Sequence, residues 1–387
     1  MFARLQQVVW REFGIMRNNR MYLFCMVVLP VIVVIFFTSL MSGGQPTDMP
    51  VGVVDLDNTP TTRTLVRKLD AFQATKVVKH YASVADARRD IQRNKIYAFI
   101  YIPEGTTDKL LSMRQPKISF YYSSTSYTAG ALLYRDLKTI STLGSAGVGA
   151  TLLSAKGLSE EQVMSFLQPV IVDLHTVNNP LVNYSVYLNT MLIPGCIMLF
   201  IFIVTAYSIG TELKFNSAKE WLDTSGGNIF VALMGKMLPQ TVIFLIIMYA
   251  YMFYVFGVLH FPHPGGPGYI LLLGALSVLS SQGFGIFVFG VVPSLRMSMS
   301  ICCLWAVLSY SLSGTAFPLS AMDSEIKAIA LLFPLRHYYM IYQLNIFNGY
   351  TLEFSWPYMV ALIAFAALPL LVTGRIKKAL QTYQYIP

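Results

Sequence analysis

Charge is what this sequence has least of. Only 12% of its 387 residues are Asp, Glu, Lys or Arg, against 55% apolar. That balance leaves too little polar surface for a soluble globular enzyme or binding module. Cysteine is also scarce: Cys25, Cys196, Cys302 and Cys303 all fall in apolar runs, which gives no sign of a disulfide framework or a paired-thiol metal site. No G-x-x-x-x-G-K-[ST] phosphate loop, H-E-x-x-H zinc helix or G-x-S-x-G nucleophile elbow occurs in the chain, so no catalytic, cofactor-binding or metal-binding residue is assigned. The net charge of +9 is spread along the sequence. With no base-stacking module beside it, it reads as a membrane-topology signal and not as a nucleic-acid footprint.

Long apolar runs are abundant. Six of them, Met21–Met41, Leu181–Ile209, Ile229–Val258, Tyr269–Val292, Met297–Phe317 and Trp356–Thr373, approach or exceed the roughly 20 residues a helix needs to cross hydrocarbon. The first is longer than a signal-peptide core and ends without a small-residue cleavage site, so it reads as an uncleaved span. Arg17 and Arg20 precede it, Arg296 sits in the short turn between the fourth and fifth runs, and Arg375, Lys377 and Lys378 follow the last. Positive residues on these connections place both termini in the cytoplasm. The expected fold class is therefore an α-helical membrane protein with six transmembrane helices and an α/β extracytoplasmic domain between the first and second spans.

That domain occupies residues 42–180. Val51–Asp55, Lys76–Tyr81, Ile96–Ile102 and Lys117–Tyr122 read as strands, separated by helical patterns near 60–72, 83–94 and 104–114. Ser83 with Asp86 opens the middle helix, and a longer helical pattern runs from Tyr127 to Ala155. Asp55-Leu-Asp57-Asn58 lacks the glycine and distal glutamate of a calcium loop and suits an Asx turn or helix cap.

Residues 1–20 form a basic amphipathic pattern, with Phe2, Leu5, Val9, Phe13 and Met16 on one face and Arg4, Gln7 and Arg11 on the other, as in a helix lying on a membrane surface. Residues 210–228, between spans two and three, mix Glu212, Lys214, Lys219, Glu220 and Asp223 with Phe215 and Trp221. This suits a short cytoplasmic helix that another protein can grip, the alternative being a solvated loop. Residues 229–317 hold spans three to five and 356–374 the sixth, before a cytoplasmic tail of residues 375–387. Residues 318–355 are apolar but interrupted, as in two short helices that enter the outer leaflet and return. Spans two and five carry neutral polar groups, among them Tyr187, Asn189, Ser309 and Ser313, which either face a helix or cavity or bond their own backbone.

The basic N-terminal helix, the Val-Gly-Val-Val-Asp-Leu-Asp-Asn-Thr-Pro60 opening of the outer domain, the inner Gly-Thr-Glu-Leu…Lys-Glu-Trp-Leu-Asp-Thr…Gly-Lys236 stretch and the late Ser-Gly-Thr-Ala-Phe-Pro318…Phe-Pro334 element together resemble the permease subunit of a type-2 ATP-binding-cassette exporter, in the bacterial drug-efflux-type branch with a large periplasmic insertion. The resemblance covers nearly the whole chain. It departs at Asp223-Thr-Ser-Gly-Gly-Asn228, where relatives carry a Thr-Pro segment. What it implies is a subunit of the bacterial inner membrane that exports a drug-like or lipid-like compound. It would work with a separate ATPase subunit holding ATP and Mg, a second permease chain and a periplasmic adaptor. Arg11, Glu212, Lys214, Lys219, Glu220 and Trp221 would then couple to the ATPase. Asn189, Tyr187, Ser309, Ser313, Phe317 and Pro318 would line the translocation path, with Asn189 and Ser313 near the axis between two chains. An ion- or proton-coupled secondary transporter and a membrane-anchored sensor with a periplasmic domain are the other readings. The first lacks mid-membrane carboxylates and the second lacks a cytoplasmic signalling domain.

Overall fold

The computed structural model describes residues 2–112, 114–167, 179 and 183–382. It divides into two units, Met1–Ser42 with Thr176–Pro387, and Gly43–His175. The first begins with α1 (Phe2–Asn18). Asn19 then caps the next helix, its side chain accepting the Met21 N–H at 3.0 Å. α2 (Arg20–Leu23) and α3 (Leu29–Leu40) are joined by one π turn into a continuous apolar helix.

The second unit carries a four-stranded sheet in the order β2-β1-β3-β4. Its elements run β1 (Met49–Asp55), α4 (Pro60–Asp70), β2 (Thr75–His80), α5 (Val84–Gln92), β3 (Ala98–Ile102), α6 (Thr106–Leu111), β4 (Ser119–Tyr122), α7 (Tyr127–Ala155) and α8 (Glu160–Leu167). β1 pairs parallel with β2 and β3, and β4 pairs antiparallel with β3. Alternation decides what each face buries. Val51 and Val53 join Ile100, Leu69 of α4 and Leu133 and Leu137 of α7 in one core, while Val54, Phe99, Tyr81 and Ala87 of α5 form the other. Gly52 is required because a Cβ there would come within 2.6 Å of the Tyr81 ring, and the β1–β2 register shifts at that position. Between α8 and span two, residues 168–178 and 180–182 lie outside the described residues, and with them the expected start of span two at Leu181.

The first unit resumes with a π turn (Ser185–Asn189) that runs into α9 (Thr190–Lys214), then α10 (Ala218–Thr224), α11 (Ile229–Phe253, extended by a π turn to Val258), α12 (Pro267–Val291) and α13 (Leu295–Leu312). Two short helices follow, α14 (Ser324–Ala330) and α15 (Pro334–Ile341), the latter ending in a π turn. The described chain closes with α16 (Leu352–Ala367) and α17 (Pro369–Thr382), divided where Pro369 supplies no N–H. Six of these helical stretches are long and apolar enough to cross a membrane. Buried residues make up 67% of the most apolar window of α9 and 72% of that of α12, against 17% for Arg20–Leu40, so α9 and α12 are the centre of the unit and the first span lies at its edge.

Span two continues as helix to Lys214, past the expected end at Ile209. Glu212 therefore sits on a helix and not in a loop. Span six continues to Thr382, which puts Arg375, Lys377 and Lys378 on a helix as well. Span five stops at Leu312 instead of Phe317 because Gly314 takes the left-handed conformation.

Candidate functional site

Four charged side chains meet where α1, α9 and α11 converge. Arg11 of α1 grips Glu212 of α9 with both guanidinium nitrogens, Nη1–Oε1 at 2.7 Å and Nη2–Oε2 at 3.0 Å. Lys236 of α11 bridges Glu212 Oε1 at 2.8 Å and Glu12 Oε2 at 2.5 Å. Gln240, one turn along α11, donates to the other Glu12 oxygen at 3.3 Å, and the Ser217 hydroxyl donates to Glu212 Oε2 at 2.5 Å. Glu12 and Lys236 are each 1% exposed and Glu212 2%. Isolated ions would be costly at such depth, so two acids against two bases, each multiply hydrogen-bonded, is an arrangement that can persist there.

Local sequence explains the convergence. Arg11 and Glu12 are adjacent and flank the seam from one helix, while Lys236 and Gln240 stand four residues apart and so share a face of α11. Close packing of the two helices rests on Gly235, where a Cβ would come within 2.6 Å of Val8. The inward face of α1 is thus Val8, Glu12 and Met16. Of the expected apolar face, Met16 is buried and Phe2 and Phe13 are exposed, together with Trp10.

α10 packs directly against this cluster. Ala218, Trp221 and Leu222 are buried, and the Lys236 ammonium lies 4.9 Å from the Trp221 ring centroid, a cation–π contact. Lys219, Glu220 and Asp223 are exposed on the opposite side. Arg11 reaches one of them, with Nε 3.3 Å from Glu220 Oε1. The turn after α10 uses Gly226 and Gly227 at φ +69° and +75°. Gly226 also leaves room for the Arg4 guanidinium, and Lys377 of α17 donates to the Gly227 carbonyl at 2.8 Å. Burial would lower the Arg11 pKa, but the hydrogen bonds and charges of Glu212 and Glu220 outweigh it and hold the guanidinium above its ordinary value.

Of the six residues expected to couple to an ATPase, Arg11, Glu212, Glu220 and Trp221 come together, and Lys214 and Lys219 are exposed nearby. Glu212 and Trp221 are enclosed by the chain's own helices, so neither offers a surface to another protein. Sequence reasoning missed Glu12, Lys236 and Gln240 as members of the cluster. The signal for them was a lone acid within a basic helix and a lysine within an apolar run.

The residues expected along a translocation path divide in two. Asn189, Ser309 and Ser313 are buried within the chain. Ser309 and Ser313 donate to their own helix, to Ala306 O at 2.6 Å and Tyr310 O at 2.8 Å. Asn189 donates to Ser185 Oγ at 3.0 Å, and its carbonyl accepts from Tyr251 at 2.9 Å. Tyr187, Phe317 and Pro318 are exposed, and Tyr187 donates to the Thr315 carbonyl. Arg336 of α15, which sequence reasoning did not single out, donates to Ser313 O at 2.7 Å and closes the carboxyl end of span five.

Six helices long and apolar enough to cross a membrane mark a multi-pass membrane protein, and the charged joint ties two of them, α9 and α11, to α1. The chain belongs to the ABC-2 family transporter proteins, whose family model matches residues 20–375. No curated protein matches it. Membership makes the chain the transport subunit and not the ATPase, and implies an ATPase partner in general terms.

Proposed function

We propose that this chain is the permease subunit of a type-2 exporter of the drug-efflux-type branch. It moves a hydrophobic or amphipathic compound out of the cytoplasm or the inner leaflet, driven by ATP and Mg on a separate subunit. Both termini and α10 face the cytoplasm, the Gly43–His175 unit is periplasmic, and the complex contains a second permease chain and a periplasmic adaptor. The observation that carries this reading is the linkage of α10 to α1, α9 and α11 through Arg11, Glu212, Lys236 and Glu12. Lys214, Lys219 and Glu220 present the surface that the ATPase grips. Glu212 and Trp221 act beneath it, passing a displacement of α10 to the central helix α9.

The exposed side of α13, with Ser300, Leu304, Val307 and Ser311, is turned toward the second chain, with Asn189 and Ser313 near the axis behind it. The Phe317-Pro318 turn, tied to span two through Thr315 and to α15 through Arg336, belongs to the outer gate.

Charge reversal at Glu220 tests the coupling arm. Substrate-stimulated ATP hydrolysis by the assembled complex is expected to fall while the permease still reaches the membrane. Unchanged ATPase recruitment and transport after Lys219→Glu and Glu220→Lys together would leave α10 a solvated helix. A cysteine at Ser124 should react with a membrane-impermeant thiol reagent from outside, and reaction only after the membrane is opened would invert the topology.

A further inference from the structure

β1 and β2 run parallel and adjacent, with Val53 opposite His80, so both strands finish at one edge of the sheet. At this edge Asp55, Asn58, Arg63, Val66, Arg67 and His80 line an open cleft of about 520 Å³, a size that suits a small molecule.

The lining is unbalanced in charge. Arg63 and Arg67 stand one helical turn apart on α4 and so project from the same face. Neither is ion-paired with a carboxylate among the described residues. Their hydrogen bonds go to neutral groups, Arg63 Nη1 to Asn58 Oδ1 and Arg67 Nε to the Arg63 carbonyl, each at 3.4 Å, which orients the guanidiniums without cancelling them. The one carboxylate in the lining is committed to its own turn, since Asp55 Oδ1 accepts the N–H groups of Asp57 at 3.1 Å and Asn58 at 2.9 Å.

We propose that this cleft is an oxyanion site that takes a phosphate group, held by the planar donor forks of Arg63 and Arg67 with His80 at its margin. The phosphate comes either from a free small anion or from a lipid headgroup. All of these residues belong to the Gly43–His175 unit, so the inference stands or falls separately from the coupling role of α10.

The test is calorimetric titration of the full-length chain in detergent with two probes, inorganic phosphate and dihexanoyl phosphatidate. Saturable binding is expected. Arg63→Gln with Arg67→Gln should weaken it about tenfold or more, as the loss of charge-assisted hydrogen bonds implies. Both arginines are exposed, so unchanged circular dichroism of the double variant is expected to separate lost binding from lost fold. Lys68→Gln removes one charge from the same helix outside the cleft and should leave binding intact. Displacement of phosphate by the short-chain lipid would point to a headgroup, and binding of phosphate alone to a free anion. Failure of both probes to bind saturably, or equal weakening by Lys68→Gln, would overturn the proposal in favour of a diffuse basic surface.

Discussion

The two units of this protein expose opposite things. In the α/β unit the interior is Val51, Val53, Leu69, Phe99 and Ile100, and Arg63, Arg67, Arg88, Arg89 and Lys95 are exposed. In the helical unit Ile246, Phe253, Leu304, Val307 and Leu371 are all at least 60% exposed, while Glu12, Glu212, Lys236, Gln240 and Gln282 are buried. Each arrangement matches a solvent. Water drives apolar side chains of the first unit inward. Hydrocarbon exerts no such force between helices, so packing and paired polar groups hold the second together. The charged joint is thus an expected kind of adhesive in one unit and would be an anomaly in the other.

The largest expected way to break that contrast is Lys236→Met. It leaves Glu12 without its countercharge, and removing one partner of a buried pair costs about 3–5 kcal/mol. The thermal midpoint of the detergent-solubilised chain should fall more than for any other variant named here. Glu12→Gln combined with Lys236→Met should restore most of the loss, because that pair of changes removes one charge of each sign. A single variant as stable as wild type would mean that the cluster does not hold the joint.

Next in size is Ile100→Ala, which empties part of the sheet core at a cost of about 2–5 kcal/mol. Hydrogen exchange should accelerate in β1 and β3 while α9 and α12 keep their protection. Equal acceleration in both units would show that their cores are not independent.

A smaller effect depends on pH. Partial desolvation would raise the Asp57 pKa, but hydrogen bonds from the Thr107 hydroxyl and amide and the Thr59 hydroxyl outweigh it and hold the carboxyl below its ordinary value. Asp57 also accepts the Thr106 N–H at 3.0 Å, tying the β1–α4 turn to the start of α6. A depressed carboxyl pKa contributes stability that is fully present above the unfolded value of about 4 and is lost as pH falls through the folded value. Protection of the Thr106 and Thr107 amides, taken relative to the intrinsic exchange rate at each pH, should therefore fall below about pH 4 in the wild type. Asp57→Asn should remove that component of the pH response, and an unchanged response would assign it to another acid.

The smallest change is expected from Leu304→Ala, on the outer face of α13. Exposed side chains remote from buried networks shift stability by about 0.5 kcal/mol or less, so the monomer should melt nearly unchanged. Any loss should appear instead in association of two chains, read by light scattering of the reconstituted complex. A large loss in monomer stability would place Leu304 inside the chain's own core.

Local pattern made much of this legible. Apolar runs of membrane length announced six spans, and period-two runs broken by helical stretches announced the four strands, because both signals depend only on near neighbours in sequence. Ser83 was recognisable as a helix cap for the same reason, and its hydroxyl accepts the Asp86 N–H at 3.2 Å. The departures arose where partners are distant in the chain. α1 carries two apolar stripes, and the one facing inward is set by Glu12 reaching Lys236, 224 residues away. By contrast, Ser313 bonds Tyr310 and Asn189 bonds Ser185, three and four residues away on their own helices, the local alternative open to polar groups in a span.

The sequence by itself determined that the chain carries six runs long and apolar enough to cross a membrane, that an α/β unit interrupts them, and that a charged helix follows the second. It could do so because backbone hydrogen bonding in hydrocarbon and side-chain alternation in a sheet are local constraints. Only the tertiary structure decided which charges at this end of the helices are offered outward, as on α10, and which are locked within, as Glu212 of α9 is. Pairing energy between Arg11, Glu12, Glu212 and Lys236 depends on the close approach of three helices, and no spacing along the chain encodes that distance.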